Sequence, residues 1–275
     1  FTCNVNPDSY NPSGVGSLPG GRDVLSRADA NNPFADWNLV FVPYCSGDIH
    51  AGDTQSGLWG QPQRGYHNIG EYLQRLVPTF RDNASLIVLT GVSAGGFGAA
   101  YNYDRFQRVF HPVPVLMVDD SGPPLAPAYM TPCFQEMVRT AWNLDATLPD
   151  DCTECFQADG SGLDRLPSHL ARKYPNRRFG FISSTRDSVV ELFFGFGYPD
   201  CTNQDSGDFP DTVFEEGVRN LASRLSPYGN AHAFVINSSF HVWLDDLATT
   251  SGGVMLGTWL TAFVNGDPSW RTVLP

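Results

Sequence analysis

The chain has 275 residues, with 17 basic and 29 acidic side chains, a formal charge of −12 and a single lysine, Lys173. So little basic surface excludes a nucleic-acid-binding protein, and no run approaches the roughly 20 apolar residues of a transmembrane helix. Nothing in the composition divides the chain, so one large α/β domain over residues 1–275 is expected. Six cysteines, at positions 3, 45, 133, 152, 155 and 201, are many for a reducing compartment and predict the disulfides of a secreted or periplasmic protein. Cys152-x-x-Cys155 has the spacing of half a zinc site or of a redox pair. No second cysteine pair or nearby histidine pair follows it, and a disulfide is the favoured reading. The first residue is Phe1, not methionine, which predicts a processed or truncated product.

Residues 1–36 are rich in Asn, Pro, Ser and Gly and read as a surface excursion with one short helix near Arg22 to Ala28. Asn38-Leu39-Val40-Phe41-Val42-Pro43-Tyr44-Cys45 reads as the first strand, buried on both faces. The loop from Gly47 to Asp53 carries Asp48, His50 and Asp53, but their mixed spacing defines no metal geometry, and a hydrogen-bonded loop is expected. From Asn68 to Val77, the residues Ile69, Tyr72, Leu73 and Leu76 recur at helical intervals, and Pro78 should limit that helix. His67 before it reads as a surface or capping residue.

Leu86-Ile87-Val88-Leu89-Thr90 is a strand that runs into Gly91-Val92-Ser93-Ala94-Gly95 and a helix over 96–109. This is the strand, tight turn and helix in which a serine hydroxyl is lifted clear of the backbone. Glycines at 91 and 95 are expected because larger side chains would collide across the turn. The helix start also offers the amide of Ala94 as an oxyanion donor. Val115 to Asp119 is the next strand. Residues 121–167, broken by prolines and acids, read as a cap-like insertion with one helix over 133–142.

Sheet order resumes with a strand from Arg178 to Ser184, followed by Thr185-Arg186-Asp187. Leu192 to Tyr198 beyond it suits either an apolar acyl pocket or a core segment. Val213, Phe214, Val218, Leu221 and Leu225 mark an amphipathic helix. A strand from Ala231 to Asn237 leads to His241, and a last helix covers 254–263. The alternation of strands and helices predicts a mostly parallel sheet with helices on both faces, an α/β-hydrolase.

A serine nucleophile needs a base, and the base needs an anion to fix its tautomer. In this architecture the acid and then the histidine follow the serine, each on a loop past the carboxyl end of a strand. Asp187 and His241 hold those places, and Ser93, Asp187 and His241 are the expected catalytic triad. Asp119 and Asp120 are the runner-up acids. His232 begins its strand, at the far edge of the sheet from Ser93, whereas His111 and His169 are expected to face solvent.

Three blocks resemble the pectin acetylesterase family, which includes the Notum-type carboxylesterases. They are Val42-Pro43-Tyr44-Cys45-Ser46-Gly47-Asp48-Ile49-His50-Ala51-Gly52-Asp53, the turn Gly91-Val92-Ser93-Ala94-Gly95-Gly96, and the pairing of Ser183-Ser184-Thr185-Arg186-Asp187-Ser188 with Ser238-Ser239-Phe240-His241. The resemblance implies an exported α/β-hydrolase that removes O-acyl groups, acetyl from pectin or a fatty acyl group, with the roles of Ser93, Asp187 and His241 as above. It implies no metal or organic cofactor. It also implies a glycine-rich block upstream that supplies further oxyanion amides, and no such block occurs between Phe1 and Asn38. N-terminal strands, supplied by another fragment of the same precursor, are therefore expected. That fragment would offer partners for Cys3 and Cys45 and leave the other four cysteines to pair among themselves.

The expected partner is an acylated glycan or another ester, with acetyl removal from a polysaccharide favoured. A lipid or polyester esterase, a non-catalytic binding module on the same scaffold, and a lyase using the same residues are the alternatives.

Overall fold

The structure, a computed structural model, describes residues 23–202 and 208–275. Four largely apolar runs form β1 (Ile87–Val92), β2 (Val115–Asp120), β3 (Phe179–Ser184) and β4 (Ala231–Ile236), which pair in parallel in that order. Side chains alternate across a strand, so a run apolar at every position feeds two cores. Val115 and Met117 enter one core, while Leu116 and Val118 enter the other.

Helices cover both faces. α1 (Gly65–Phe80), α2 (Ala94–Phe110), α3 (Pro132–Trp142), α4 (Leu166–Lys173), α5 (Ser188–Phe194) and α6 (Asp211–Leu225) contribute Leu73, Phe106, Val138, Leu170, Phe194 and Leu221 to the first core. α7 (Leu256–Asn265) brings Trp259, Leu260 and Phe263 to the second. Among the described residues no helix is long and apolar enough to cross a membrane. Two disulfides, Cys133–Cys201 and Cys152–Cys155, join four of the six cysteines, and Cys3 lies outside the described residues.

The structure departs from the sequence reading in five places. Residues 38–45 form no strand, and Leu39, Val40 and Phe41 are about half exposed. Apolar content makes a strand only where a ladder partner exists, and residues 39–42 make no backbone hydrogen bond among the described residues. Residues 23–28 are turns, with Val24 anchored by its amide to the carbonyl of Leu244. α1 continues two residues past Pro78, whose missing N–H removes a single bond near the helix end. His169 is buried, not solvent-facing, and its Nε2 lies 3.2 Å from Asp151. Val254–Met255 pairs with Thr250–Ser251 as a short hairpin, so the last helix starts at Leu256.

Candidate active site

The turn after β1 carries Ser93 at φ 57°, ψ −123°, a left-handed conformation that costs energy for any residue with a Cβ. Two features hold it there. The Ser93 amide donates to the carbonyl of Asp120, continuing the β1–β2 ladder, and the Ser93 carbonyl accepts the amides of Gly96 and Phe97 as α2 begins. A Cβ at Gly91 would lie 2.3 Å from the Gly95 carbonyl oxygen, so glycine is required there. Gly95 differs from expectation, because a Cβ on it would meet nothing within 4 Å. The sequence reading missed Gly96, whose Cβ would collide with the Asp119 carboxylate and the Asp120 carbonyl. The first amides of α2, that of Ala94 among them, have no intrahelical acceptor and face the turn.

Asp187 lies three residues past β3 and is fully buried. Its Oδ1 caps α5 by accepting the amides of Val189 and Val190, at 3.1 and 3.0 Å. The same carboxylate holds His241, with Nδ1 at 2.9 Å from Oδ1 and 2.8 Å from Oδ2. That bond assigns the proton to Nδ1 and leaves Nε2 as the free lone pair. Nε2 is buried and makes no hydrogen bond among the described residues. The two loops are tied together along their length, since Arg186 and Ser188 donate amides to the carbonyls of Ser238 and Ser239. Ser184 Oγ donates to the Phe240 carbonyl and accepts from Trp243 Nε1.

The runner-up acids do other work. Asp120 Oδ2 accepts the amides of Trp243 and Leu244, at 2.6 and 2.8 Å, and Ser121 Oγ accepts that of Val242. Asp120 and Ser121 thus anchor both ends of the arrangement, Ser93 through a backbone carbonyl and the residues after His241 through side chains. Burial pushes the Asp120 carboxyl up to about 6 against the pull of those amides. Asp119 is buried beneath the turn, and burial followed by the neighbouring Asp120 holds it well above the usual carboxylate range against the pull of the Gly122 amide. No periodicity in the sequence marks Asp120 as an anchor; only its place at a strand end beside the nucleophile turn hints at it.

Other expected residues stand apart. Asp48 is buried and ties its own loop to α1 by accepting the amides of His50 and Gly65, so the loop is a hydrogen-bonded one. His50 packs on Tyr44, and burial lowers its imidazole to about 4. His67 is exposed beside Glu71, His111 is exposed, and His232 begins β4 against Trp270.

Ser93 opens into a cleft of about 2360 Å³ whose walls include Phe134, Met137, Trp142, Val190, Phe193 and Phe194. The Leu192–Tyr198 segment therefore divides between uses. Phe193 is exposed at the cleft, while Phe194 is buried with Phe134, Phe209 and Phe214.

A sequence model of the family described as Pectinacetylesterase matches residues 20–173. Palmitoleoyl-protein carboxylesterase notum2 of Xenopus laevis is 39% identical over 87 residues, 31% of this chain and 18% of that protein. Palmitoleoyl-protein carboxylesterase NOTUM of Homo sapiens is 34% identical over 111 residues, 37% of this chain and 22% of that protein. Pectin acetylesterase 11 of Arabidopsis thaliana is 26% identical over 162 residues, 54% of this chain and 40% of that protein. The matched stretch spans less than half of each relative. The solved structure of the Wnt deacylase Notum from Drosophila has the same fold, with TM-score 0.64 at 19% identity over 93% of this chain and 77% of that one. The architecture is that of an α/β-hydrolase.

Proposed function

The chain belongs to the pectinacetylesterase family, and from that premise we propose that it is an exported serine carboxylic-ester hydrolase that removes O-acyl groups through an acyl-enzyme. The observation that carries this reading is the pairing of His241 with the buried Asp187, with Nδ1 bonded to the carboxylate and Nε2 free. The strained Ser93 turn and the residues after His241 are anchored on the same Asp120–Ser121 corner, which supports the reading.

In this mechanism Nε2 of His241 takes the proton of Ser93 as Oγ attacks the ester carbonyl, and Asp187 stabilises the imidazolium. The Ala94 amide donates to the oxyanion. The imidazolium then protonates the departing alcohol, and water, deprotonated by His241, releases the carboxylic acid and restores Ser93.

Acetyl is the favoured acyl group, following the family, and a net charge of −12 favours a neutral acylated glycan over a polyanion. Residues 121–167 act as a cap that lends Met137 and Trp142 to the cleft wall. The apolar walls near Ser93 favour a second reading, a longer acyl chain on a lipid or polyester.

A fluorophosphonate probe separates an enzyme from a binding module. Labelling at Ser93 that disappears in Ser93→Ala supports the reading, and an unlabelled, folded chain sinks it. The ratio of p-nitrophenyl acetate to octanoate turnover then decides between short and long acyl groups.

A further inference from the structure

The loop from Gly47 to Asp53 holds a conformation that needs a reason. Ile49 and His50 follow one another at φ 52° and 59°, and a positive φ is costly for a residue with a Cβ, most of all a β-branched one. Such a pair persists only where its surroundings fix it. Here the Ile49 amide donates to Tyr44 Oη at 2.8 Å, the His50 amide to the buried Asp48 at 3.2 Å, and Asn102 Nδ2 to the His50 carbonyl at 3.1 Å.

What these bonds fix is the place of one ring. The His50 imidazole lies on the wall of the Ser93 cleft, 4.7 Å from the Tyr44 ring and against α2, where a Cβ on Gly98 would stand 3.0 Å from its Cδ2. Gly98 comes five residues after Ser93, about 7 Å along the helix. That is too far for a base or an oxyanion donor, but within reach of a group attached to an ester held at Ser93. Ser46, Gln63 and Asn102 share this wall and spend their donors on Asp48, Gly47 and the carbonyls of His50 and Gly98. The hydrogen bonds of His50 among the described residues are all made by its backbone, which leaves both ring nitrogens for an occupant.

The chemistry of the ring selects that occupant. Burial lowers the imidazole to about 4, so near neutral pH one nitrogen donates and the other accepts. A carboxylate would need the imidazolium, and Asp36 is the only acidic side chain, with no lysine or arginine, on the cleft among the described residues. An alkyl chain would leave both nitrogens covered and unpaired. A hydroxyl group gives one bond and takes one, and in an ester such groups belong to the alcohol part rather than to an acyl chain.

We propose that His50 is a specificity residue that binds a hydroxyl on the alcohol part of the ester, which makes the preferred ligand an uncharged, partly O-acylated glycan. This rests on the ester-hydrolase reading and names the alcohol side of the same site. The test is binding, measured by calorimetry on Ser93→Ala so that nothing is turned over, with partly O-acetylated xylotetraose and octyl acetate as the probes. His50→Phe keeps a ring against Tyr44 and Gly98 but neither nitrogen, whereas His50→Gln keeps a donor and an acceptor without the ring. The first should weaken xylotetraose binding by about ten-fold and the second by less than about three-fold. Octyl acetate, which has no hydroxyl to offer, should bind with His50 or with phenylalanine in its place alike. Unweakened xylotetraose binding in His50→Phe, a loss in His50→Gln as large as in His50→Phe, an equal loss for octyl acetate, or no xylotetraose binding to Ser93→Ala would each overturn it. A parent chain that fluorophosphonate leaves unlabelled would sink the hydrolase reading instead, and these affinities would still be read.

Discussion

One carboxylate at Asp187 serves two structures, the first turn of α5 and the Nδ1 of His241. Its two neutral replacements should therefore separate. Asp187→Asn keeps an acceptor for the helix amides but removes the anion. It should lose about 1000-fold or more in ester turnover with little change in stability. Asp187→Ala should lose the same activity and about 1 kcal/mol besides, the usual worth of an N-cap; equal melting temperatures for the two variants would contradict the capping role. The nucleophile turn gives a second contrast of sign. Ser93→Gly relieves a positive φ on a residue with a Cβ, and the chain should gain about 1 kcal/mol in urea denaturation while losing turnover. At Gly91 the opposite holds, because a methyl group would press on the backbone of Gly95. Gly91→Ala should destabilise by about 2 kcal/mol or more.

At the scale of elements, the disulfide Cys133–Cys201 ties the start of α3 to the loop after α5 across 68 residues, whereas Cys152–Cys155 closes a span of only three. If the loss of loop entropy in the unfolded chain governs their worth, removing the first pair should cost about 4 kcal/mol and the second about 2. Paired Cys→Ser variants measured in urea should keep that order. Much of the architecture is legible in the sequence. β2 opens on four consecutive apolar residues and β3 carries Phe179, Phe181 and Ile182, the Gly91 to Gly95 turn has its strand and helix on either side, and Asp187 and His241 each follow a strand. What the sequence hides depends on partners. Residues 38–45 have the composition of a buried strand, yet a strand exists only with a ladder beside it. His169 sits among polar neighbours in sequence, but α4 turns it inward against Asp151. Asp120 looks like one more strand-end acid until its carboxylate is seen holding the amides after His241.

For the whole molecule, acids buried without enough donors make stability depend on pH in a direction opposite to that of salt-bridged carboxylates. The Asp120 carboxyl is raised to about 6 by burial, Glu191 to about 7 by burial and then by Asp211 and Asp187, and Asp119 is raised well above its ordinary value by burial and then by Asp120. A carboxyl raised in the folded state binds its proton there at pH values where the unfolded chain has already released it. Its contribution is therefore full below the unfolded value near 4 and is lost as pH rises through the folded value. Asp120 alone should withdraw about 2 kcal/mol between pH 4 and pH 7, and the net charge of −12 adds self-repulsion in the same direction. Asp151 opposes the trend, held below the usual range by Lys173 and His169, but it is largely exposed and weak. The chain should accordingly be more stable to urea at pH 5 than at pH 8. Asp120→Asn should flatten that difference, because its carbonyl oxygen can still accept the amides of Trp243 and Leu244 while nothing remains there to ionise. A variant with the same pH slope as the parent would show that the slope arises elsewhere.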